Sequence, residues 1–178
     1  MGRLLSTQQR VAERIGELLR GITVDNGYNT DVCAVEQVFG LPGSDRKKLP
    51  QIYHWFGDRT YNTGNNANAQ IELRVPLGIA FGVPCERTSA QGELEFIAAD
   101  IYRALFDQTD QSTQITVPII SGTKDLRVDM DYLGMVPQKV EESGRGVATG
   151  VMVYAMRWPQ VLGNPALFRP DDVAIEES

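Results

Sequence analysis

Cysteine, histidine and long apolar runs are all scarce in this chain of 178 residues, and each scarcity excludes a class of protein. Its two cysteines, Cys33 and Cys85, lack CxxC spacing, so the sequence predicts neither a zinc site nor a disulfide framework and favours a reducing cytoplasm. The single histidine, His54, has no second histidine with which to share a metal, and we interpret it as a partnered structural imidazole. No run approaches the ~20 apolar residues of a membrane span, so no membrane contact is expected.

An excess of positive charge is missing as well. The formal net charge is −6. Proteins that wrap nucleic acid neutralise its phosphates with clustered Lys and Arg, so this balance argues against tight nucleic-acid binding but is compatible with DNA passing nearby. One dense basic cluster is present at residues 46–48, inside the run GLPGSDRKK, which has the composition of a loop.

The motifs that usually carry catalysis are also missing. The segment SGRGVATG brings Gly144, Gly146 and Gly150 close together, but it lacks GxGxxG spacing and the Lys-Ser/Thr pair of a P-loop, so a hairpin turn explains it better. Asp129 and Asp131 share one strand face, yet they do not have the spacing of a calcium-binding loop. There is no GxSxG nucleophile elbow. The sequence therefore predicts no enzyme, no metal site and no cofactor.

A long strand followed by a helix is the strongest pattern that is present. From Ile71 to Val83 an apolar residue occupies every second position, which is the period of a strand with one buried face. Pro76 withholds an amide from the ladder, so we expect an edge position, a bend or a bulge there. Thr88 and Gln91 fit a capping box for the helix that follows. That helix carries one apolar stripe, made of Leu94, Ile97, Ala98, Ile101 and Leu105.

A first helix and several further strands complete the pattern. Ser6 and Gln9 form a capping box, and Gly21 helps to end the helix that they begin. Residues 57–69 have the composition of a long connection, and the run QITVPII is left unassigned. The predicted strands are Tyr28–Val35, Leu49–Phe56, Leu126–Tyr132 with one acidic face, and Val147–Trp158, a central strand that is apolar on both faces in its second half.

This order of elements predicts an α+β fold with a mostly antiparallel (mixed) sheet of about four to six strands and two helices packed on one face. A chain of this length supports one sizeable core, so residues 1–158 are predicted to form a single domain. From Pro159 to Ser178, two further prolines and an acidic end predict an irregular C-terminal tail.

Three segments carry a resemblance to a known family: GYNTDV at 27–32, the strand that ends IAFGV, and the helix ELEFIAADIYRALF. With them the chain resembles the tail terminator or tail completion proteins of long-tailed bacteriophages, the group related to minor tail protein U. The resemblance covers most of the chain up to Asp107. The residues that match the family's two patterns are Gly27, Tyr28, Thr30 and Asp31, and then Asp100, Ile101, Ala104 and Leu105.

The resemblance implies a virion structural protein. Such proteins form a ring, usually of six subunits, on the head-proximal end of the tail tube, where they stop tube polymerisation and provide the docking surface for the head connector. The implied partners are further copies of this chain, the tail tube protein and the head-tail connector or neck proteins, with assembly in the host cytoplasm. DNA is then expected to pass through the lumen without sequence-specific binding.

Candidate contact residues follow from this role. Aromatic residues and arginine are enriched at the cores of protein interfaces. Asp129 and Asp131 are candidates for an acidic lumen surface that keeps passing DNA from sticking. The candidates for contacts between subunits, or with tube and connector, are Arg46, Lys47, Lys48, Tyr61, Leu162, Leu167 and Phe168.

Two alternatives stay open at this point. A head-tail connector or neck protein, or a tube-initiating subunit of the same particle, would use the same kind of small ring-forming domain. A small ligand-binding or enzymatic α+β domain would instead use a pocket between the long strand and the second helix.

Overall fold

The computed structural model describes residues 5–38, 49–62, 70–85, 89–106, 113–118, 125–138 and 146–161. Within these ranges the chain forms two α-helices, a short 3-10 helix at Val24–Asn26 and seven strands. The α-helices are α1 (Thr7–Arg20) and α2 (Ala90–Phe106), and the strands are β1 (Ala34–Gln37), β2 (Gln51–Phe56), β3 (Thr60–Asn62), β4 (Gln70–Cys85), β5 (Gln114–Val117), β6 (Leu126–Gln138) and β7 (Gly146–Val161).

The seven described strands form one mixed sheet. Their order is β1-β2-β4-β7-β6-β5, and the short strand β3 pairs with β4 beside β2. Strands β1 and β2 are parallel, and every other described pair is antiparallel. The two long strands β4 and β7 pair from Gln70 opposite Val161 to Cys85 opposite Gly146, and they form the centre of the sheet. The predicted α+β fold with a mostly antiparallel sheet is confirmed.

Both helices pack on the same face of this sheet, as predicted. The Ser6 hydroxyl oxygen accepts from the Gln9 amide (3.2 Å), and the Ser6 amide donates to Gln9 Oε1 (2.8 Å), so the capping box that begins α1 is present. Odd-numbered side chains of β4 form a single core with the apolar stripes of both helices. The stripe residues that are buried are Val11, Ile15, Leu18, Leu19, Ile22, Leu94, Ile97, Ile101 and Leu105, with Ala98 half-buried.

Two aromatic side chains lie directly on glycine partners across the sheet. Trp55 is paired with Gly78, and Phe81 is paired with Gly150. A Cβ atom at Gly78 would overlap the Trp55 indole, and one at Gly150 would lie 2.7 Å from the Phe81 ring. Glycine is therefore required at both positions for each ring to rest against the neighbouring backbone.

The segment that follows α1 differs from the prediction. The prediction of a strand at Tyr28–Val35 is wrong for most of that range, because β1 begins only at Ala34. The preceding 3-10 helix ends at Gly27, whose φ of 82° lies in the left-handed region that favours glycine. Asp31 Oδ1 accepts a hydrogen bond from the backbone amide of Val24 (2.7 Å). Side-chain bonds of this kind compete with strand pairing for the backbone groups.

Pro76 was expected at an edge, a bend or a bulge. The edge position is wrong, because Pro76 lies in the central strand, and its pairing with Ala155 of β7 shows no bulge. Strand β4 pairs with β7 on one side and with β2 and β3 on the other. The Pro76 carbonyl accepts from the Gly57 amide (2.8 Å), so the missing proline N–H faces the same side, at the gap between β2 and β3. No hydrogen bond to β7 is lost there, because the missing N–H faces away from β7, towards the place where β2 ends.

Several element boundaries also differ. The predicted connection at 57–69 contains β3, and the unassigned run QITVPII contains β5. Strand β7 is central, as predicted, but its burial on both faces falls in its first half, between Val147 and Met152. It continues to Val161, past the predicted start of the irregular tail. The capping residue Thr88 and the rest of that predicted tail, residues 162–178, lie outside the described residues.

Candidate interaction surfaces

Residues of the two family patterns meet beside the C-terminal half of α2. Asp100 is 1% exposed, and its carboxylate oxygens accept two hydrogen bonds from the backbone amide of Asn29 (2.9 and 3.1 Å) and one from Asn29 Nδ2 (2.9 Å). Arg103 Nη2 donates to the carbonyl of Gly27 (2.7 Å), and its guanidinium lies 4.2 Å from the Tyr28 ring centroid. We call this arrangement the α2 clamp. It fastens the segment after α1 to the second helix.

The remaining pattern residues also have positions that the fold explains. Ile101, Ala104 and Leu105 are buried in the core. Thr30 is half-buried, and Asp31 holds the Val24 amide in the 3-10 helix. In this structure the pattern residues stabilise the loop that follows α1 and pack α2 into the core.

The sheet face opposite the helices is covered by no helix among the described residues, and we call it the open face. Trp55 lies across Gly78 near its centre, with Tyr53, Ala80 and Val153 half-buried around it. Val136 belongs to the same face and is 60% exposed. Exposed apolar residues on an uncovered sheet face are a candidate surface for protein-protein contact.

One end of the open face is charged, and both candidate lumen residues lie there. Asp131 forms an ion pair with Arg157 (3.4 Å), and Asp129 Oδ1 accepts a hydrogen bond from Gln114 Nε2 (2.6 Å). The acidic strand face predicted from the sequence is therefore accompanied by basic and amide partners. At the same end of the open face, Glu72 forms an ion pair with Arg74 (2.7 Å), and Arg127 lies on the same face of β6 as Asp129 and Asp131.

An aromatic ledge lies where α2 meets β6. Tyr102 and Tyr132 are each 43% exposed, and their ring centroids are 6.0 Å apart in an edge-to-face arrangement. Phe106 and Tyr154 support them from the core, with centroid distances of 4.6 Å from Tyr102 to Phe106 and 5.3 Å from Tyr132 to Tyr154. Burial, together with the nearby tyrosines, raises the pKa of Tyr154, so its hydroxyl stays protonated. Next to the ledge, Leu133 is 63% exposed.

A small groove lies at the other side of the sheet, between the start of α1 and the ends of β1 and β2. Its volume is about 280 Å³. Small-molecule sites usually occupy about 300–1,000 Å³, so this groove is at or below the lower limit. The space between β4 and α2, where a ligand-binding domain was expected to have its pocket, is instead filled by core side chains. The groove is lined by Gln8, Gln37, Val38, Phe56, Gly57, Asp58 and Arg59.

His54 faces the helices from β2 and is 2% exposed. Gly16 of α1 lies over the imidazole, since a Cβ atom there would be 3.4 Å from His54 Nε2. Burial, with a smaller contribution from the charge of Arg20, lowers the pKa of His54 from 6.5 to about 4. The imidazole is therefore neutral at pH 7. It is buried as a structural imidazole would be, but its Nδ1 has no hydrogen-bond partner in the described part of the chain.

The other predicted contact residues divide into two groups. Tyr61 lies on β3 and is 54% exposed, so its side chain is accessible to a partner. The remaining six candidates (Arg46, Lys47, Lys48, Leu162, Leu167 and Phe168) lie outside the described residues.

Sequence reasoning missed the surfaces around Trp55 and Leu133. The signal for Leu133 was present, because the alternation of apolar and polar residues that runs through Tyr132 breaks there. Exposed Phe96 also lies off the apolar stripe of α2. The contact of Trp55 with Gly78 depends on the register between β2 and β4, and no pattern of neighbouring residues in the sequence predicts that register.

Neither of the two described α-helices is long and apolar enough to cross a membrane. Within the same ranges of the chain, no three His, Cys, Asp or Glu side chains come together in a way that could hold a metal ion.

Comparison of the sequence with protein-family models gives no match, and comparison with curated proteins gives none either.

Proposed function

We propose that this protein is a virion structural protein, the tail terminator of a long-tailed bacteriophage. In this proposal it forms a ring of six subunits on the head-proximal end of the tail tube, stops tube polymerisation and presents the docking surface for the head connector. The proposal starts from the resemblance of the GYNTDV and DIYRAL segments to that family.

The observation that carries the proposal is the open face. A small domain that leaves an apolar sheet face around Trp55 without a covering helix, in the described part of the chain, has a surface suited to a protein partner. The aromatic ledge and the groove add two further and unlike surfaces at opposite sides of the sheet. A ring subunit needs unlike surfaces on its two sides, because a head-to-tail interface joins two different patches and closes into a ring when the rotation between neighbours divides a full turn.

The acidic lumen is a separate hypothesis within this proposal. Its candidates, Asp129 and Asp131, lie on one strand face, but Arg127 and Arg157 lie on the same face of the sheet. These neighbouring positive charges give the hypothesis no added support. If like charge keeps DNA from sticking, replacing both residues with Lys should slow DNA ejection from assembled phage, and an unchanged ejection rate would contradict it.

Two measurements test the terminator proposal. The native mass of the purified protein over a concentration series should show a discrete closed ring. Electron microscopy of particles made without the protein should show tails of uncontrolled or unstable length. Tails of normal length that fail to join heads would assign the protein to the connector or neck instead, and normal infectious particles would refute both roles.

A further inference from the structure

The chain contains a single Asn-Gly dipeptide, Asn26–Gly27, and both of its residues are exposed in the loop that follows α1. Asparagine followed by glycine is the dipeptide most prone to lose its side-chain amide, because glycine has no Cβ atom to hinder attack by its backbone nitrogen. Water and hydroxide, which this reaction needs, reach both exposed residues. The pair is therefore a candidate for a spontaneous covalent change.

The reaction forms a bond between the Gly27 nitrogen and the side-chain carbon Cγ of Asn26. Hydroxide first takes the proton of the Gly27 amide, the bond from Cγ to Nδ2 then breaks, and ammonia leaves with a proton from water. Water opens the resulting cyclic imide at either of its two carbonyl carbons, which gives aspartate or isoaspartate in place of Asn26. The reaction consumes water and releases ammonia, and it needs no oxidant, reductant or cofactor.

Three hydrogen bonds restrain the reacting groups in the fold. Asn26 Nδ2 donates to the carbonyl of Gly21 (2.8 Å), which holds the leaving amide against the end of α1. The Gly27 amide donates to the Val24 carbonyl (2.9 Å), and the Gly27 carbonyl accepts from Arg103 Nη2 of the α2 clamp (2.7 Å). Deprotonation removes the donor of the bond to Val24, and closure of the imide ring turns the peptide group of Gly27. Both bonds of Gly27 must therefore break before the ring can close.

Deamidation of Asn26 then proceeds from molecules in which this loop has opened locally. The free energy of a local opening depends on the contacts that it breaks, and the reaction rate falls with the fraction of open molecules. A hydrogen bond from a charged donor is stronger than one between neutral groups. The bond from the Arg103 guanidinium to Gly27 is therefore the strongest of the three restraints.

We propose that Asn26 is a site of spontaneous deamidation whose rate is controlled by the α2 clamp. Both products weaken the clamp in turn. Aspartate places a carboxylate, instead of the Nδ2 donor, beside the last carbonyls of α1, at the helix end that disfavours negative charge. Isoaspartate routes the main chain through Cβ and Cγ, which lengthens the backbone by one atom and moves Gly27 away from Arg103. Deamidation thus loosens the attachment of this loop to α2, whatever the role of the protein in a particle.

Peptide mapping by mass spectrometry tests the site itself. Purified protein is incubated in mildly alkaline buffer, and the gain of one dalton at Asn26 is followed over time. Asn29 is the internal control, because the β-branched Thr30 follows it and its Nδ2 donates to Asp100. Asn26 is expected to react first and to give isoaspartate as well as aspartate. A folded protein in which Asn26 gains mass no faster than Asn29 would overturn the assignment.

Arg103→Met tests the control by the clamp, because it removes the guanidinium and keeps a long unbranched side chain. The rate at Asn26 in the folded variant should rise about tenfold over the wild type, while both proteins react equally fast when unfolded in guanidinium chloride. Arg127→Met is the matched control, since Arg127 is exposed on β6 and its loss should leave the rate unchanged. Thermal denaturation shows that each variant is folded before the rates are compared.

A comparison of folded and unfolded wild-type protein keeps the proposal testable even where Arg103→Met does not fold. Asn26 should react at least tenfold more slowly in the folded protein than in guanidinium chloride. Equal rates in the two states would show that the fold does not restrain the dipeptide. An unchanged rate in folded Arg103→Met would show that the clamp is not the restraint, and either result overturns the proposed control.

Discussion

Lowering the pH is expected to destabilise this protein through one side chain, His54. Burial lowers the pKa of the imidazole to about 4 in the fold, compared with 6.5 in the unfolded chain. Between these values the unfolded chain binds a proton that the folded protein does not. The free energy of unfolding therefore falls as the pH drops through this window, by about 1.4 kcal/mol per pH unit, and is insensitive to His54 above it. From pH 7.5 to pH 5 the expected loss is about 2 kcal/mol.

Urea titration at these two pH values measures the loss. Carboxylates also titrate toward the lower pH, so the comparison requires the variant His54→Gln, which keeps a polar side chain but does not titrate. The carboxylate contribution is common to both proteins and cancels in the difference. The wild type should lose about 2 kcal/mol more than His54→Gln between pH 7.5 and pH 5.

Two results would refute this reasoning. Equal losses in the wild type and in His54→Gln would show that the imidazole does not carry the pH dependence. An NMR titration of the folded protein with a midpoint near 6.5 would show that burial does not hold the imidazole neutral. Because His54 is the single histidine of the chain, its resonances are assigned without ambiguity.

Four further substitutions test the clamp and the glycine contacts. Asp100→Ala removes all three hydrogen bonds to Asn29 and should lower the free energy of unfolding in urea by about 2 kcal/mol, whereas Asn29→Ala keeps the two backbone bonds and should cost about 1 kcal/mol. Gly78→Ala forces a methyl group into the Trp55 indole and should cost about 1–3 kcal/mol with a red shift in tryptophan emission. Gly92→Ala is its matched control, since nothing lies within 4 Å of a Cβ atom there, and it should stabilise α2 by up to about 1 kcal/mol in thermal denaturation. Equal effects of the two glycine substitutions would contradict the steric argument.

Local patterns were sufficient to predict most of the fold. The Ser6–Gln9 capping box and the apolar stripes of both helices depend on residues three or four positions apart, so they are visible in the sequence. The alternation from Ile71 to Val83 likewise predicts β4. Together they account for a sheet with two helices on one face.

The errors arose where distant residues decide the structure. The segment at Tyr28 has the composition of a strand, but Asp100, 71 positions after Asn29, binds that segment to α2. Pro76 was expected at an edge, a bend or a bulge, yet it lies in the central strand, where its missing N–H faces the end of β2 at Phe56. The ledge and the groove likewise depend on sheet order, which no local pattern encodes.

The interruption opposite Pro76 has a practical consequence for labelling. Strand β3 pairs only with β4 in the described structure, and the chain between β2 and β3 lies where the central strand offers no donor. Added residues at 58–59 should therefore leave the ladder of the six other strands in place. We expect this position to accept a short epitope or a fluorophore-binding tag, which would make the protein visible by light or electron microscopy.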